Sequence, residues 1–177
     1  NGHYIGKRPY GYISFSYDIT PYIRAGENVL SVRVDNSLEP SARWYHGCGI
    51  YGDVRLRYEN PLHFVNDGVY VYTPEITDTE ASVHVRYDLS LPEKGSKVTA
   101  YILQDGRAVS DTVSSVRHDK EMKLSIAEPD LWSPDSPSLY QVILKLHDRN
   151  GTFMDSENVS IGVREVSWDA EKGFFLN

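Results

Sequence analysis

Apolar and polar residues alternate along most of this chain, which is typical of β-strands that bury one face. Residues 29–34 carry an apolar side chain at every even position and predict a half-buried strand, and residues 12–17 and 53–58 are similar. Between the first two, residues 18–23 predict one helical turn, capped by Asp18 or Thr20, with proline at the first helical position. The first third of the chain is therefore predicted to be mainly strand.

A second run of short strands begins after Glu59-Asn60-Pro61, where an Asn-Pro step favours a turn and suggests a domain boundary. The predicted strands are 69–72, 81–89, 97–103, 120–126, 139–146 and 152–163. The turns predicted between them lie at Thr73-Pro74, Pro92-Glu93-Lys94-Gly95, Asp105-Gly106 and Asn150-Gly151. This spacing indicates an immunoglobulin-like antiparallel β-sandwich. The predicted core residues are Tyr87, Leu89, Ile102, Leu124, Val142 and Leu144.

The segment 43–56 differs from the rest, because a strand alone does not explain its composition. Arg43, Trp44, Tyr45 and His46 stand directly before a Gly-Cys-Gly turn, after which the chain continues into the strand at 53–58. Large aromatic and cationic side chains at the end of a loop are typical of a contact surface. We therefore treat this segment as the first candidate for function.

Composition and charge argue against several classes of function, among them nucleic-acid binding and metal binding. The net charge of −7 disfavours a nucleic-acid binder. No apolar run reaches the roughly 18 residues of a membrane span, so no membrane partner is expected. The single cysteine, Cys48, excludes an internal disulfide and a multi-cysteine metal site. We expect neither a metal nor a cofactor.

The remaining titratable residues suggest little catalytic chemistry. The histidines at 63, 84, 118 and 147 lie in or beside predicted strands, where we interpret them as solvent-facing or hydrogen-bonded rather than as ligands. The carboxylate pairs Asp53 with Glu59 and Asp105 with Asp111 are separated by turn and strand residues. We interpret both pairs as solvated surface charge rather than as a general acid and base.

Several short motifs follow one another along the chain. They are Asn1-Gly2, Gly6, Gly11-Tyr12, Phe15, Asp18-Ile19-Thr20-Pro21-Tyr22, Gly26 to Asn36, Arg43-Trp44-Tyr45, Gly49-Ile50-Tyr51, Leu131-Trp132-Ser133-Pro134, Pro137-Ser138-Leu139-Tyr140, Gly162-Val163-Arg164 and Gly173-Phe174-Phe175-Leu176-Asn177. In this order they resemble family two glycoside hydrolases, the family of β-galactosidases, β-glucuronidases and β-mannosidases. In the first part the chain is similar to that family's sugar-binding jelly roll, and in the second part to its immunoglobulin-like domain and the start of its barrel.

The resemblance implies an all-β fragment in which a partial jelly-roll β-sandwich at 1–59 precedes the immunoglobulin-like sandwich at 60–165. Residues 166–177 would then begin a (β/α)₈ barrel. Members of the family hydrolyse glycosides with two glutamates of that barrel, in a retaining mechanism. The fragment would lack both glutamates and be inactive alone. Its implied partners are the barrel and, through it, a carbohydrate substrate, with a homo-oligomer as a further option.

The resemblance also indicates candidate contact residues. The loop that begins at Asp35 and Asn36 and the cluster Arg43, Trp44 and Tyr45 would rim the substrate pocket. Aromatic faces stack on sugars, and Asp, Asn and Arg hydrogen-bond to hydroxyl groups. The alternative is an interdomain anchor, which we favour for the aromatic residues.

Two functions follow from the sequence. The first is a non-catalytic portion of a retaining, β-galactosidase-like enzyme that hydrolyses terminal β-glycosidic bonds. By analogy alone, such an enzyme would be extracytoplasmic and bacterial. The second is a stand-alone carbohydrate-binding or adhesive β-sandwich module. A coding sequence that continues into a barrel would favour the first function.

Overall fold

The structure, a computed structural model, describes residues 1–37, 49–91, 94–115 and 121–177. The chain divides into two compact units, Asn1–Leu56 and Arg57–Asn177. Apart from one 3-10 turn, the regular structure of these described residues is strand, so the predicted all-β class is confirmed. In these ranges no helix has the length and apolarity needed to cross a membrane. The domain bounds 1–59, 60–165 and 166–177 stay predictions.

The second unit contains the strands of the described residues. In chain order these are β1 (Phe64–Ile76), β2 (Glu80–Leu89), β3 (Lys97–Gln104), β4 (Arg107–Ala108), β5 (Val113–Ser115), β6 (Met122–Ala127), β7 (Tyr140–His147), β8 (Phe153–Ile161), β9 (Val166–Asp169) and β10 (Gly173–Leu176). Most of the predicted strands lie within an observed strand or extend beyond its ends by no more than two residues.

The strands form two antiparallel sheets and a separate hairpin. One sheet has the order β1-β2-β6, and the other has the order β4-β3-β7-β8, with β5 also paired to β3. Strands β9 and β10 pair only with each other within the described structure. The two larger sheets bury their apolar faces against each other, which is the arrangement of a β-sandwich.

The core follows the alternation that the sequence predicts. Every second residue of β2, β6 and β7 is buried over most of each strand. Among the predicted core residues, Ile102, Val142 and Leu144 are fully buried, and Tyr87 and Leu124 are nearly so. These five assignments are confirmed, whereas the sixth, at position 89, is only partly buried and packs against the edge of the core.

The two predicted hairpin turns are both present. Asp105 and Gly106 have φ values of 49° and 78°, as a type I′ turn requires, and they connect β3 to β4. Gly151, with φ of 82°, follows a turn in which the carboxylate of Asp148 accepts bonds from the backbone N–H groups of Asn150 and Thr152, both at 2.8 Å. That turn joins β7 to β8.

The predicted turn at Thr73-Pro74 is wrong, because both residues lie inside β1. The pairing of β1 with β2 shifts between Tyr72 and Glu75, so the proline sits at a bulge of an edge strand. Proline has no N–H to donate, and an edge bulge is a place where none is needed. In the predicted turn at 92–95, the first two residues lie outside the described residues, and Lys94 and Gly95 do form a turn.

The strands predicted in the first unit are not found. Residues 12–17, 29–34 and 53–58 form no strand, and the described residues of this unit contain none elsewhere. Leu30 and Val32, which alternate as a strand would, are 62% and 59% exposed. Alternation creates an apolar face, but a strand also needs a neighbouring backbone to accept its hydrogen bonds.

The predicted helical turn is present as a 3-10 turn at Thr20–Tyr22, but the predicted cap is wrong, because the N-cap is Ile19, without a side-chain cap, and Pro21 is the second residue of the turn. Asp18 accepts a hydrogen bond from the backbone N–H of Thr20 at 2.9 Å. Hydrogen bonds from Thr20 lower the pKa of the Asp18 carboxyl. Asp18 therefore stabilises the approach to this turn as a carboxylate, although its position lies one residue before the N-cap, Ile19.

Candidate functional site

The first group of predicted contact residues lies in an exposed loop. The carboxylate of Asp35 accepts hydrogen bonds from the Ser37 hydroxyl at 2.6 Å, the Ser37 backbone N–H at 3.2 Å and the Arg33 guanidinium at 2.9 Å. The Ser37 hydroxyl is the main cause of a lowered Asp35 pKa. Asn36 is exposed beside it. Asp35 is thus an ionised acceptor that already has partners within its own loop.

The second group, Arg43, Trp44 and Tyr45, lies outside the described residues. Its role at a pocket rim or at an interdomain contact therefore stays a prediction. Asp53, offered as half of a carboxylate pair with Glu59, forms an exposed ion pair with Arg55 at 2.7 Å instead. Glu59 contacts other residues, described next.

Two carboxylates meet at one guanidinium, that of Arg57. Its Nε lies 2.7 Å from Glu59 Oε1, and a terminal nitrogen lies 3.0 Å from Glu157 Oε1. His63 donates from Nδ1 to the carbonyl of Asn60 at 2.7 Å, and its Nε2 lies 3.1 Å from Glu59 Oε2. The arginine occupies the space between the two carboxylates, so this cluster is an ion-pair network.

A polar network that sequence reasoning missed covers the outer face of the sheet β1-β2-β6. Glu121 Oε1 accepts bonds from the Tyr72 hydroxyl and from Arg86 Nε, the latter at 2.8 Å. His84 Nδ1 lies 2.6 Å from Glu121 Oε2, and an Arg86 terminal nitrogen donates to the Tyr72 hydroxyl at 3.1 Å. The guanidinium carbon of Arg86 also lies 5.3 Å from the centroid of the Tyr72 ring.

Strand register brings this network together. Tyr72 pairs with His84 and Tyr70 with Arg86, so these four side chains share one face of adjacent strands. Glu121 immediately precedes β6, the strand that pairs with β2 on its other side. The alternation of His84 and Arg86 with buried valines could have placed those two residues on one face. Their partners could not be identified without the strand order.

Hydrogen bonds within this network shift the pKa values of its own members. The Tyr72 hydroxyl, with further help from His84 and Arg86, lowers the Glu121 pKa from 4.5 to about 2. The same bond to Glu121 raises the pKa of Tyr72, and Glu121 likewise raises that of Arg86. Glu121 is therefore an anion and Arg86 a cation at neutral pH. A carboxylate held ionised in this way is a poor proton donor.

Three separate motifs of the sequence meet at one end of the sandwich. Gly162 packs so closely on Trp132 that an added Cβ would lie 2.8 Å from the indole Cγ. The guanidinium of Arg164 lies 5.1 Å from the centroid of the same indole. Asn177 donates from its side chain to the Trp132 carbonyl at 3.0 Å and exchanges two bonds with Glu165, also at 3.0 Å. Trp132 is therefore a packing residue at this end of the sandwich.

The hairpin of β9 and β10 carries an exposed aromatic surface. Trp168 is 77% exposed and Phe174 is 51% exposed, and their rings contact at a centroid distance of 4.9 Å. Val166 and Phe175 are also exposed. Large apolar side chains clustered on a surface are typical of an interaction site.

The described residues contain no group of histidine, cysteine, aspartate and glutamate side chains suited to a metal ion.

The strands of the second unit define an antiparallel β-sandwich of immunoglobulin type. Residues 64–164 match the family model described as glycosyl hydrolases family 2. The whole chain is 43% identical to the beta-galactosidase BoGH2A of Bacteroides ovatus over 188 residues, and 41% identical to a putative beta-glucuronidase of Formosa agariphila over 181 residues. The chain spans only 22% and 17% of these two relatives.

Solved structures agree with this assignment. A glycosyl hydrolase family 2 member from Bacteroides cellulosilyticus matches with a TM-score of 0.87 and 35% identity over 99% of this chain and 25% of its own. A beta-glycosidase from Bacteroides vulgatus matches with a TM-score of 0.86 and 34% identity, over 99% of this chain and 23% of its own. The chain belongs to glycosyl hydrolases family 2, as the resemblance of its motifs implies.

Proposed function

We propose that this chain is the non-catalytic portion of a retaining glycoside hydrolase that cleaves terminal β-glycosidic bonds, with β-galactosidase-like specificity. In this proposal the chain supports a catalytic barrel and contributes the loop of Asp35 and Asn36, with the cluster 43–45, to the rim of its pocket. The partners are that barrel and, through it, a carbohydrate substrate. Self-association of the parent enzyme is part of the same proposal.

The observation that carries this proposal is the coverage of the relatives. The whole of this chain aligns with about a fifth of proteins named as glycosidases, so most of each relative lies outside the aligned segment. The relatives include a beta-galactosidase at 43% identity and a putative beta-glucuronidase at 41%, so the test of the proposed specificity uses a substrate of each kind.

The geometry of the carboxylates supports a non-catalytic role. A retaining glycosidase needs two carboxyl groups about 5–5.5 Å apart, with the sugar between them. At Arg57 the space between Glu59 and Glu157 is occupied by a guanidinium. Glu121 is bound by three donors and has a pKa of about 2, so it is unsuited to donate a proton to a leaving group.

The exposed hairpin supports a role in holding another domain. Trp168, Phe174 and Phe175 present an apolar surface that water solvates poorly. Asn177 fixes the end of this hairpin to Glu165 and to the loop of Trp132. An apolar surface whose end is tied down by hydrogen bonds is suited to a permanent contact, as between domains of one enzyme.

The test compares the parent protein with the 177-residue chain, each assayed with an aryl β-galactoside and an aryl β-glucuronide. We expect the parent to hydrolyse the galactoside faster and the chain to hydrolyse neither. Faster cleavage of the glucuronide would contradict the proposed specificity. Turnover by the chain alone would contradict its non-catalytic role.

Isothermal titration of the chain with galactose and other monosaccharides tests the alternative of a stand-alone binding module. We expect no dissociation constant below the millimolar range, because a pocket completed by another domain offers only some of its contacts. A micromolar constant would favour the module.

A further inference from the structure

We propose that the outer face of the sheet β1-β2-β6 binds neutral pyranose oligosaccharides, with Tyr70 as the stacking residue. We call this surface the Tyr70 face and define it by Tyr70, Tyr72, His84, Arg86 and Glu121. The proposal goes beyond the function proposed above, since it concerns a surface of the sandwich alone and needs no catalytic domain. Nothing in the family assignment or in the relatives' names places a ligand there.

The aromatic part of the Tyr70 face is suited to the apolar side of a sugar ring. Tyr70 and Tyr72 stack with a centroid distance of 5.4 Å and an angle of 26° between their planes. Tyr72 covers one side of the Tyr70 ring, yet Tyr70 remains 61% exposed, so the opposite side of that ring faces solvent. Because Tyr72 is itself held by Glu121 and Arg86, the stack fixes the orientation of the exposed ring.

The polar part supplies hydrogen bonds at the edge of this ring. Arg86 pairs with Tyr70 across the ladder, which places its guanidinium on the same face of the neighbouring strand. The Arg86 side chain remains 64% exposed while its Nε is bound to Glu121. A planar donor that is already oriented loses little conformational entropy when it binds a hydroxyl group. Aromatic stacking beside fixed planar donors is the combination that hydroxylated rings require.

The charges of the Tyr70 face favour a neutral ligand. Glu121 is ionised and its charge is offset by Arg86, 2.8 Å away. The same face also carries Lys123, which pairs with His84, and the β2 carboxylates Glu80 and Asp88, so it has no cationic excess that would attract an anionic partner. The chain as a whole carries −7, which repels a polyanionic glycan such as a polyuronate. A neutral pyranose chain can use both the ring and the donors without an electrostatic cost.

The experiment follows backbone amide NMR signals of the 177-residue chain during titration with neutral β-1,4-linked tetrasaccharides of galactose, glucose and mannose. Tetragalacturonate serves as the anionic comparator. We expect at least one neutral tetrasaccharide to bind in the millimolar range and to shift the signals of residues 70, 72, 84 and 86. We expect tetragalacturonate to bind more weakly than that sugar.

Two variants locate the binding. Tyr70→Ala removes an exposed ring and should lower the association constant about fivefold or more, which is what the loss of roughly one aromatic contact predicts. Tyr70→Phe keeps the ring and should retain most of the affinity. The matched control is Tyr101→Ala, which removes an aromatic residue from β3 of the other sheet, where Lys145 contacts its ring at 5.4 Å. This control should bind as the unaltered chain does.

Three results would overturn the proposal. The first is the absence of any shift with all neutral tetrasaccharides at millimolar concentration. The second is an equal affinity for Tyr70→Ala and the unaltered chain, which would place the sugar elsewhere. The third is a chain that sediments as a dimer and becomes a monomer in Tyr70→Ala, because the occupant of the face would then be a second copy. Glycosidase activity of the parent affects none of these results.

Discussion

The two units of this chain carry the same alternation of apolar and polar residues, but among the described residues only the second unit forms strands. In Arg57–Asn177 the alternating residues pair across two sheets and bury a continuous core. In Asn1–Leu56 the described residues form no strand, and residues such as Val32 and Leu30 are more than half exposed. The pattern in the sequence is therefore not what distinguishes the units.

The difference lies in what each apolar face meets. In the sandwich, β3 has β7 as a neighbour over seven residue pairs, and its buried side chains pack on the opposing sheet. Each strand thus gains backbone hydrogen bonds and an apolar partner together. Within the described residues of the first unit, the alternating segments have neither a paired strand nor an apolar face to pack against. Alternation indicates which side chains could be buried. Whether they are buried depends on a neighbouring strand and an opposing sheet.

The largest expected effect on stability comes from a pair of leucine truncations, one in each unit. Leu144→Ala removes a fully buried side chain of β7 and should lower the free energy of unfolding by about 2–5 kcal/mol. Leu30→Ala removes a side chain that is 62% exposed and should change that free energy by less than about 0.5 kcal/mol. Urea titrations followed by far-UV circular dichroism measure both values.

A loss below about 1 kcal/mol for Leu144→Ala would mean that its side of β7 is not the inward one. An equally large loss for Leu30→Ala would break the comparison, since it would show that the first unit buries this residue in solution.

A smaller difference in stability is expected between alanine substitutions at two glycines, one in each unit. At Gly162 an added methyl group would lie 2.8 Å from Trp132, and the indole is held by its contact with Arg164. Gly162→Ala should therefore cost about 1–3 kcal/mol through overpacking. Gly52→Ala meets no atom within 4 Å and should change stability by less than about 0.5 kcal/mol. The same urea titrations apply, and equal values for both variants would contradict this packing.

The sequence predicts the sandwich well because its determinants are local. Alternation and the turn residues at 105–106 and 150–151 are enough to place most strands and five core residues. The turn predicted at 73–74 is wrong because an edge bulge accommodates proline, and edge position depends on strand order. Strand order is a property of the whole fold and is not encoded within any one segment.

The candidate sites are less predictable for the same reason. The Tyr70 face joins Tyr72 to Glu121, which is 49 residues away, and the register of three strands creates that contact. The cluster around Trp132 joins this residue to Asn177, 45 residues away, although both residues belong to motifs that carry the family resemblance. The predicted residues Asp35 and Asn36 are exposed in their loop, and their contact with a substrate stays a prediction.

The network on the Tyr70 face predicts that the stability of the chain depends on pH. The Glu121 pKa is about 2 in the folded chain and 4.5 ordinarily, so the folded form binds the proton less tightly. The stabilisation by this carboxylate is therefore fully present above about pH 4.5 and is lost as the pH falls towards 2. Unfolding titrations of the unaltered chain and of Glu121→Gln, from pH 7 to pH 2, should give curves that converge over this range. A constant difference between the curves would contradict the assignment.

The smallest predicted effect compares two arginines that each bind carboxylates. Arg57 bridges Glu59 and Glu157, whose side chains are only 23% and 28% exposed, so Arg57→Ala leaves two partly buried anions without their shared cation and should cost about 1 kcal/mol. Arg33 pairs with Asp35 in solvent, with 88% of the arginine side chain exposed, and Arg33→Ala should cost less than about 0.5 kcal/mol. Urea titrations at low and high salt separate the two, because screening weakens the exposed pair more. Equal costs at both salt concentrations would mean that Arg57 is as well solvated as Arg33, and the contrast between the units would then not extend to their ion pairs.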